Sequence, residues 1–453
     1  MTDSTIRRIA TFAEQLAFKD IPAHVVHDCK RRFIDTLGCA LAAYHELPCD
    51  IARSVALRVK VPDGSYVLGT QLRTLPELAA FANGVMVRYL DGNDAYPGGG
   101  GHPSDMIPAM IAIANIKASS GQQLITAITA AYEVFYNFRQ AACMRDHGMD
   151  HVFYTAVGSA VGAAKLMSLD RERLENTVAL AVTPNIALHA TRRGHLSMWK
   201  GSAAGNAARN GTFAAILAAK GMTGPDHAIE GSHGLRELVS EFDYPPLPGN
   251  GRAFYLPEAQ MKYFLSESHS HAPITAALEL HQQVMVEDID AITIYTYWFA
   301  WHEIGSEPEK WRPTSRETAD HSMPYIVAAV LLDGRFGDAI FSEERLQDEK
   351  ILKLADKITI KEDLALSKQF PAKYPCRIEV KKKNGETVVV SVDHPRGHPR
   401  NPMSDDEVSA KFRDLAGRVL PETKVEQALG WLWKLDEVAS IEPLFPMIEI
   451  EGR

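Results

Sequence analysis

Along residues 6–254 the apolar positions recur three and four apart: Ile6, Ile9, Phe12 and Leu16, then Val25, Val26, Phe33, Ile34, Leu37 and Leu41. That spacing places them on one stripe of a helix and predicts a succession of amphipathic helices. Gly, Pro and Asn break the pattern at 62–65 (PDGS), 96–105 (YPGGGGHPSD), 183–185 (TPN) and 222–226 (MTGPD), where helices are expected to stop and restart. Two of the predicted helices, at 155–166 and 200–221, are dense in Gly, Ala and Ser, which lets neighbouring backbones approach closely. Residues 1–255 therefore read as an all-α unit.

Beyond residue 256 the period changes. AITIYTYW (291–298), KITI (357–360) and RIEVKKKNGETVVVSV (377–392) carry the β-branched alternation of strands. Asn384-Gly385 predicts a hairpin with a type I′ turn, positive in φ at both positions. Interleaved helical stretches, among them SMPYIVAAVLLDG (322–334), make 256–424 an α+β unit. The final segment, 425–453, is helical again and is expected to pack back on the first unit. The expected fold class is mainly α with α+β: a large all-α helical domain plus a smaller α+β lid domain.

Composition narrows the function classes. A length of 453 residues exceeds what one hydrophobic core usually supports. A formal net charge of -9 argues against general affinity for nucleic acid or an anionic membrane, both of which need a cationic surface. An anionic ligand must then be held by local Lys, Arg and His groups. Cys29, Cys39, Cys49, Cys143 and Cys376 are scattered without a C-x-x-C pair, so zinc and iron–sulfur sites lack their usual spacing, and a metal-free, cofactor-free protein is expected. The N-terminus has no uninterrupted apolar core of a signal peptide, and no stretch approaches the roughly 20 apolar residues of a membrane span. A reducing cytoplasm is the simplest compartment.

Candidate chemistry gathers at predicted helix starts. Residues 88–97 (RYLDGNDAYP) lead into four glycines and then His102, Pro103, Ser104 and Asp105; Ser104 or Asp105 suits the cap of the next helix. The glycine run is no dinucleotide fingerprint, because no strand precedes it and its spacing is wrong. His147 and His151 stand four apart, without the Glu of a zincin motif, and His151 suits acid–base work near neutrality. Lys200 heads a small-residue helix after Arg192, Arg193 and His195, a suitable anchor for a carboxylate. Lys262 precedes His269 and His271, and Asp320-His321 opens the most apolar helix of the second half, where a core rarely tolerates such a pair unpartnered. Each motif alone is more often a cap or a solvated side chain. Together they suit a cleft between two units.

In order along the chain, LDGNDAYPGGGGHPSDMIPAMIAIA, GMDHVFYTAVGSAVGAAKL, MWKGSAAGNAARNGTFAAILAAKGMTGP, KYFLSESHSHAPITAALEL, TADHSMPYIVAAVLLDGRF and VDHPRGHPRNPMSDDEVSAKF resemble the signature blocks of the MmgE/PrpD family, over roughly residues 5–450. The resemblance implies an active site between the two domains and commonly a homodimer. The activities it brings are 2-methylcitrate dehydration without iron, cis-aconitate decarboxylation and iminodisuccinate epimerisation. Carried over by position, the catalytic group is Asp91, His102, His151, Lys200 and Lys262, with Asp94, Ser104, His269, His321 and Tyr325 as substrate-binding members and no metal ligand. Ala95 departs from the pattern, standing where relatives often have Thr.

These residues suit proton abstraction α to a carboxylate. The lysines would neutralise charge as it develops, His151 or Asp91 would take the proton, and His102 would protonate the departing hydroxyl. Dehydration of 2-methylcitrate is the favoured expectation. Decarboxylation of a cis-aconitate-like ligand, epimerisation of an iminodisuccinate-like one, and a non-catalytic carboxylate-binding protein are the alternatives.

Overall fold

The computed structural model describes residues 4–98, 100–142, 144–249 and 252–451; Gly99 of the glycine run and Cys143 lie outside them. The helical period of the first half forms α1 (Ser4–Gln15), α2 (Ala23–Ala42), α3 (Leu47–Ala56), α4 (Pro76–Tyr89), α5 (Ile107–Ile116), α6 (Gly121–Ala141), α7 (Val152–Leu166), α8 (Arg171–Val182) and α9 (Trp199–Ala219). A two-residue ribbon, β1 (Ser65–Tyr66) with β2 (Arg73–Thr74), closes the turn before α4. The small residues do what their size allows. Helix α9 packs against both α4 and α7, and a Cβ at Gly84 would lie 2.6 Å from the Cα of Gly205, so the α4–α9 crossing is closed to any larger side chain there.

The second half supplies β3 (Ile289–Thr296), β4 (Ile358–Glu362), β5 (Cys376–Lys382) and β6 (Thr387–Val392), in sheet order β4-β3-β5-β6. Strands β3 and β4 are parallel, and the other pairings are antiparallel. Helix α10 (His271–His281) lies on β5 and β6 and against α12 (Met323–Asp333), while α11 (Trp298–Ile304) follows β3 directly. Apolar side chains of these elements form one core and those of α1–α9 another, so the chain is mainly α with an α+β part.

Three local expectations change. The hairpin turn has positive φ at Gly385 (90°) and not at Asn384. The amide of Gly385 donates to the Lys382 carbonyl and that of Lys382 to the Glu386 carbonyl, a three-residue loop ending in a left-handed glycine in place of type I′. Neither Ser104 nor Asp105 caps α5: both lie in a 3-10 turn, Pro103–Met106, that feeds straight into the helix. The return to the helical core also begins early. Val408, Phe412 and Leu415 of α13 (Asp405–Ala416), which lies on α2, join that core together with Val425, Leu429 and Leu432 of α14 (Glu422–Leu432). The sheet's core reaches no further than Val390.

Candidate active site

A cavity of about 80 Å³ opens where the two cores face each other. From the helical side it is lined by the loop after α4, by His102, by His151 at the start of α7, and by Arg192 before α9; the sheet side contributes Glu267, His269, Phe299, His321 and Tyr374. The two sides are tied at the glycine loop. The Gly98 amide donates to the Tyr374 hydroxyl (3.1 Å), while Ala95 pairs through both its backbone groups with Gln260 (2.8 and 2.9 Å), whose neighbours Ala259 and Met261 belong to the helical core. Gly101, at φ 104°, lies against Phe135, whose Cζ would be 2.4 Å from an added Cβ, so the turn that delivers His102 admits only glycine.

Asp91, in this wall, is the centre of a knot that extends behind it. It follows the C-cap of α4 with φ 54°, a left-handed conformation that is uncommon for a non-glycine residue and tolerated best by Asp and Asn. Its Oδ1 accepts from Arg88 (2.6 Å) and from Lys262, and its Oδ2 from Lys200 (3.0 Å). The Lys262 ammonium also donates to the Asp91 carbonyl (2.8 Å). Lys200 spends its remaining donors on both oxygens of Asp320 (3.0 and 2.9 Å). Burial alone would raise the Asp91 carboxyl; Arg88, Lys200 and Lys262 outweigh it and hold the group well below the usual carboxylate range. Asp320 is likewise held down to about 2, burial again being overcome by Lys200 and His321.

The histidines of the wall share one arrangement. His102 Nδ1 donates to the Asp94 carbonyl (2.7 Å), His321 Nδ1 to Asp320 (2.5 Å), and His151 Nδ1 faces the Asp150 carboxylate (3.2 Å). A carbonyl or carboxylate oxygen can only accept, so each Nδ1 carries the proton and each Nε2 of the neutral ring has its lone pair. For His151 that Nε2 is buried without a partner. The His102 and His151 rings stand 5.5 Å apart. Burial lowers all three pKa values, to about 3 for His151, with nearby arginines adding to the effect at His102 and His151 and Lys200 adding to it at His321. His269, bonded through Nδ1 to the Tyr297 hydroxyl and stacked on Tyr374, is lowered to about 3 for the same reason.

Four guanidiniums line the same space: Arg88, Arg139, Arg145 and Arg192. Arg192 is clamped by Asp150 (2.9 Å) and the Lys200 carbonyl (2.6 Å), yet its Nη2 is buried with no hydrogen-bond partner. One carboxylate, Asp150, thus orients both an imidazole and a guanidinium, each with a polar atom unpaired at the cavity. A desolvated donor and a desolvated acceptor oriented by one carboxylate suit a polar ligand.

The sequence-based candidates therefore divide. Asp91, His102, His151, His269 and His321 line the cavity. Lys200 and Lys262 do not: their ammonium groups are consumed by Asp91 and Asp320 instead of facing a ligand. Asp94 and Ser104 lie behind the wall, where Asp94 accepts from the Ser104 amide (2.9 Å) and the Tyr132 hydroxyl (2.8 Å) and thereby fixes the loop bearing His102. Tyr325 belongs to the sheet's core, its hydroxyl donating to the Ile340 carbonyl (2.7 Å), so it has no ligand contact to make. The four arginines and the partners Asp150 and Asp320 were not among the expected site residues. Their signal was adjacency, since each Asp directly precedes its His.

Asp91, Asp320 and His321 place ligand atoms within 4.8 Å of one another, a spacing compatible with a metal ion. The Lys200 ammonium already bridges the two carboxylates, and Arg88 and Lys262 complete the charge balance. A divalent cation would have to displace an ammonium, so the donor set fits lysine and not a metal.

Residues 7–246 match the MmgE/PrpD N-terminal domain and residues 264–435 the MmgE/PrpD C-terminal domain. The chain belongs to the MmgE/PrpD family. It is 27% identical to 2-methylcitrate dehydratase of Salmonella typhimurium, with 93% of this chain and 92% of the relative covered. It is 28% identical to 2-methylcitrate dehydratase of Cupriavidus necator, with 90% of each covered, and 25% identical to human cis-aconitate decarboxylase, with 99% and 95% covered. The activities in these names are lyase activities. Among the described residues no helix is long and apolar enough to cross a membrane.

Proposed function

We propose that this MmgE/PrpD chain is a lyase that eliminates water from a small polycarboxylate, 2-methylcitrate or a close analogue, through proton abstraction α to a carboxylate. The observation that carries the reading is the juxtaposition of His151, its Nε2 buried and unpartnered, with the unpartnered Nη2 of Arg192 on one Asp150 carboxylate. The guanidiniums bind the ligand's carboxylates and stabilise the enediolate-like charge as it forms. His151 Nε2 takes the carbon-bound proton. His102 Nε2, which starts with a lone pair, takes that proton from the neighbouring His151 imidazolium and passes it to the departing hydroxyl, which leaves as water. Asp91, with three cations on it, is too weak a base for the first step.

An imidazole depressed to about 3 is nearly inert as a base in the empty cavity. A bound polyanion brings negative charge beside Nε2 and lifts that value, so the ligand itself readies the histidines. Incubation of the protein with 2-methylcitrate, citrate, cis-aconitate and iminodisuccinate tests the reading, with unsaturated product and released CO₂ followed separately. Unsaturated product from 2-methylcitrate without CO₂, undiminished after prolonged EDTA treatment, is expected. CO₂ from cis-aconitate would move the reaction to decarboxylation, and no turnover of any of the four would favour a binding protein. We take the active form to be a homodimer, which sedimentation velocity checks.

A further inference from the structure

One of the four guanidiniums already holds a carboxylate from the opposite side of the cavity. Arg145, in the 3-10 turn Met144–His147 after α6, forms an ion pair with Glu303 of α11, and both side chains line the cavity. The Arg145 guanidinium lies over the Phe299 ring, 4.3 Å from its centroid, so its plane is set by the aromatic face irrespective of which carboxylate it holds. The side chains of Arg145 and Glu303 keep 21% and 13% exposure, against 2% and 1% for Arg88 and Asp91. The less buried of two ion pairs is the more weakly held, whereas breaking a fully buried one strands a charge. The Arg145–Glu303 pair is therefore the exchangeable one.

We propose that Glu303 is a built-in stand-in for a ligand carboxylate: it occupies Arg145 while the cavity is empty, and an arriving polycarboxylate displaces it and takes Arg145 as an anchor. This rests on the reading of the cavity as a polycarboxylate site. Exchange needs no new cation, since one carboxylate replaces another on the same fork. It also makes Glu303 a specificity-determining residue. A ligand lacking a carboxylate at that end leaves Glu303 in place, so the pair selects by the number and placement of negative charges. Nearby, Arg193 reaches His302 of α11 (3.3 Å) and Glu307 just beyond it (3.4 Å) across the same boundary, so α11 keeps a second tether when Glu303 is released.

Calorimetric titration of citrate into wild type, Glu303→Gln, Arg145→Gln and the double variant tests the exchange. Glu303→Gln is expected to bind citrate about fivefold more tightly, because no internal competitor remains. Arg145→Gln is expected to bind it more weakly, and the gain from Glu303→Gln is expected to vanish in the double variant. Glu303→Ala, which removes the charge without an amide, should reproduce the gain, and thermal unfolding of each variant verifies folding. Unchanged or weaker binding by both Glu303 variants would overturn the exchange while leaving the polycarboxylate site standing. A gain that persists without Arg145 would also overturn it, since simple loss of negative charge would then suffice. Citrate binding by none of the four proteins would overturn both this proposal and the function on which it rests.

Discussion

Two charged regions meet at Asp91 and differ in how completely they are paired. In the knot, the Lys200 ammonium uses all its donors on Asp91 and Asp320 and Lys262 adds its own to Asp91, while Arg88, which also lines the cavity, donates to Asp91 and keeps its Nε without a hydrogen-bond partner. Along the wall, His151 Nε2 and Arg192 Nη2 are equally buried and have no partner. Saturated charge in a low-dielectric interior fixes geometry and resists exchange, whereas unpaired polar atoms on residues that line a cavity are open to a ligand. The residue types that look most like anion binders in the sequence, the two lysines, are on the structural side of this division.

The knot is most sharply broken at Lys200. Lys200→Met leaves Asp320 with only His321 and costs about 3–5 kcal/mol of stability, read as a fall in the urea midpoint. A variant as stable as wild type would mean that the lysine is not paired as described. On the wall, His151→Ala should lower kcat/KM on the true substrate by roughly 10²- to 10⁴-fold while the urea midpoint stays close to wild type. Loss of folding in step with loss of activity would erase the distinction between the regions.

A subtler test uses pH. His271, buried with both ring nitrogens unpartnered and off the cavity wall, is lowered to about 3 by burial and then by Lys262. A depressed folded-state value contributes stability that is present above the unfolded value of about 6.5 and is lost as pH falls toward 3. His271→Leu should therefore flatten the acid limb of the stability profile by about 2 kcal/mol between pH 7 and 5. An unchanged limb would show that His271 is charged or solvated in the fold. Glu133 works in the opposite sense. Raised by burial to about 8, it contributes stability present below about 4.5 that is lost as pH rises through 8. The smallest expected effect is that of Arg192→Lys, which keeps the charge and loses the planar fork: KM rises roughly tenfold with kcat less affected. A fall in kcat with KM unchanged would take Arg192 out of ground-state binding and leave it in the transition state alone.

Much of the architecture was legible because helix and strand periods are read from the burial they cause. The apolar stripes of α1 and α2, the glycine-permitted α4–α9 crossing and the β5–β6 hairpin all follow from local pattern. The return of α13 to the helical core was not legible, since its apolar face fits either core equally well and only tertiary packing decides. The site divided along the same line. The histidines that line the cavity stand at helix starts, where a cap or a solvated side chain is the commoner role, so only their grouping singled them out. Which cations line the cavity was not legible, because that depends on which distant carboxylates reach each one: Asp91 and Asp320 take all of the Lys200 donors, whereas Asp150 leaves one Arg192 nitrogen unpaired. Tyr325 misled for a related reason: its hydroxyl found a backbone carbonyl inside the sheet's core.

The division between knot and wall is tested most directly by the crystal structure of the protein with 2-methylcitrate bound. The account predicts ligand carboxylates on Arg192 and Arg145, a carbon-bound hydrogen facing His151 Nε2, and Lys200 and Lys262 still on Asp91. A ligand carboxylate seated on Lys200 or Lys262, with Asp91 released, would contradict it.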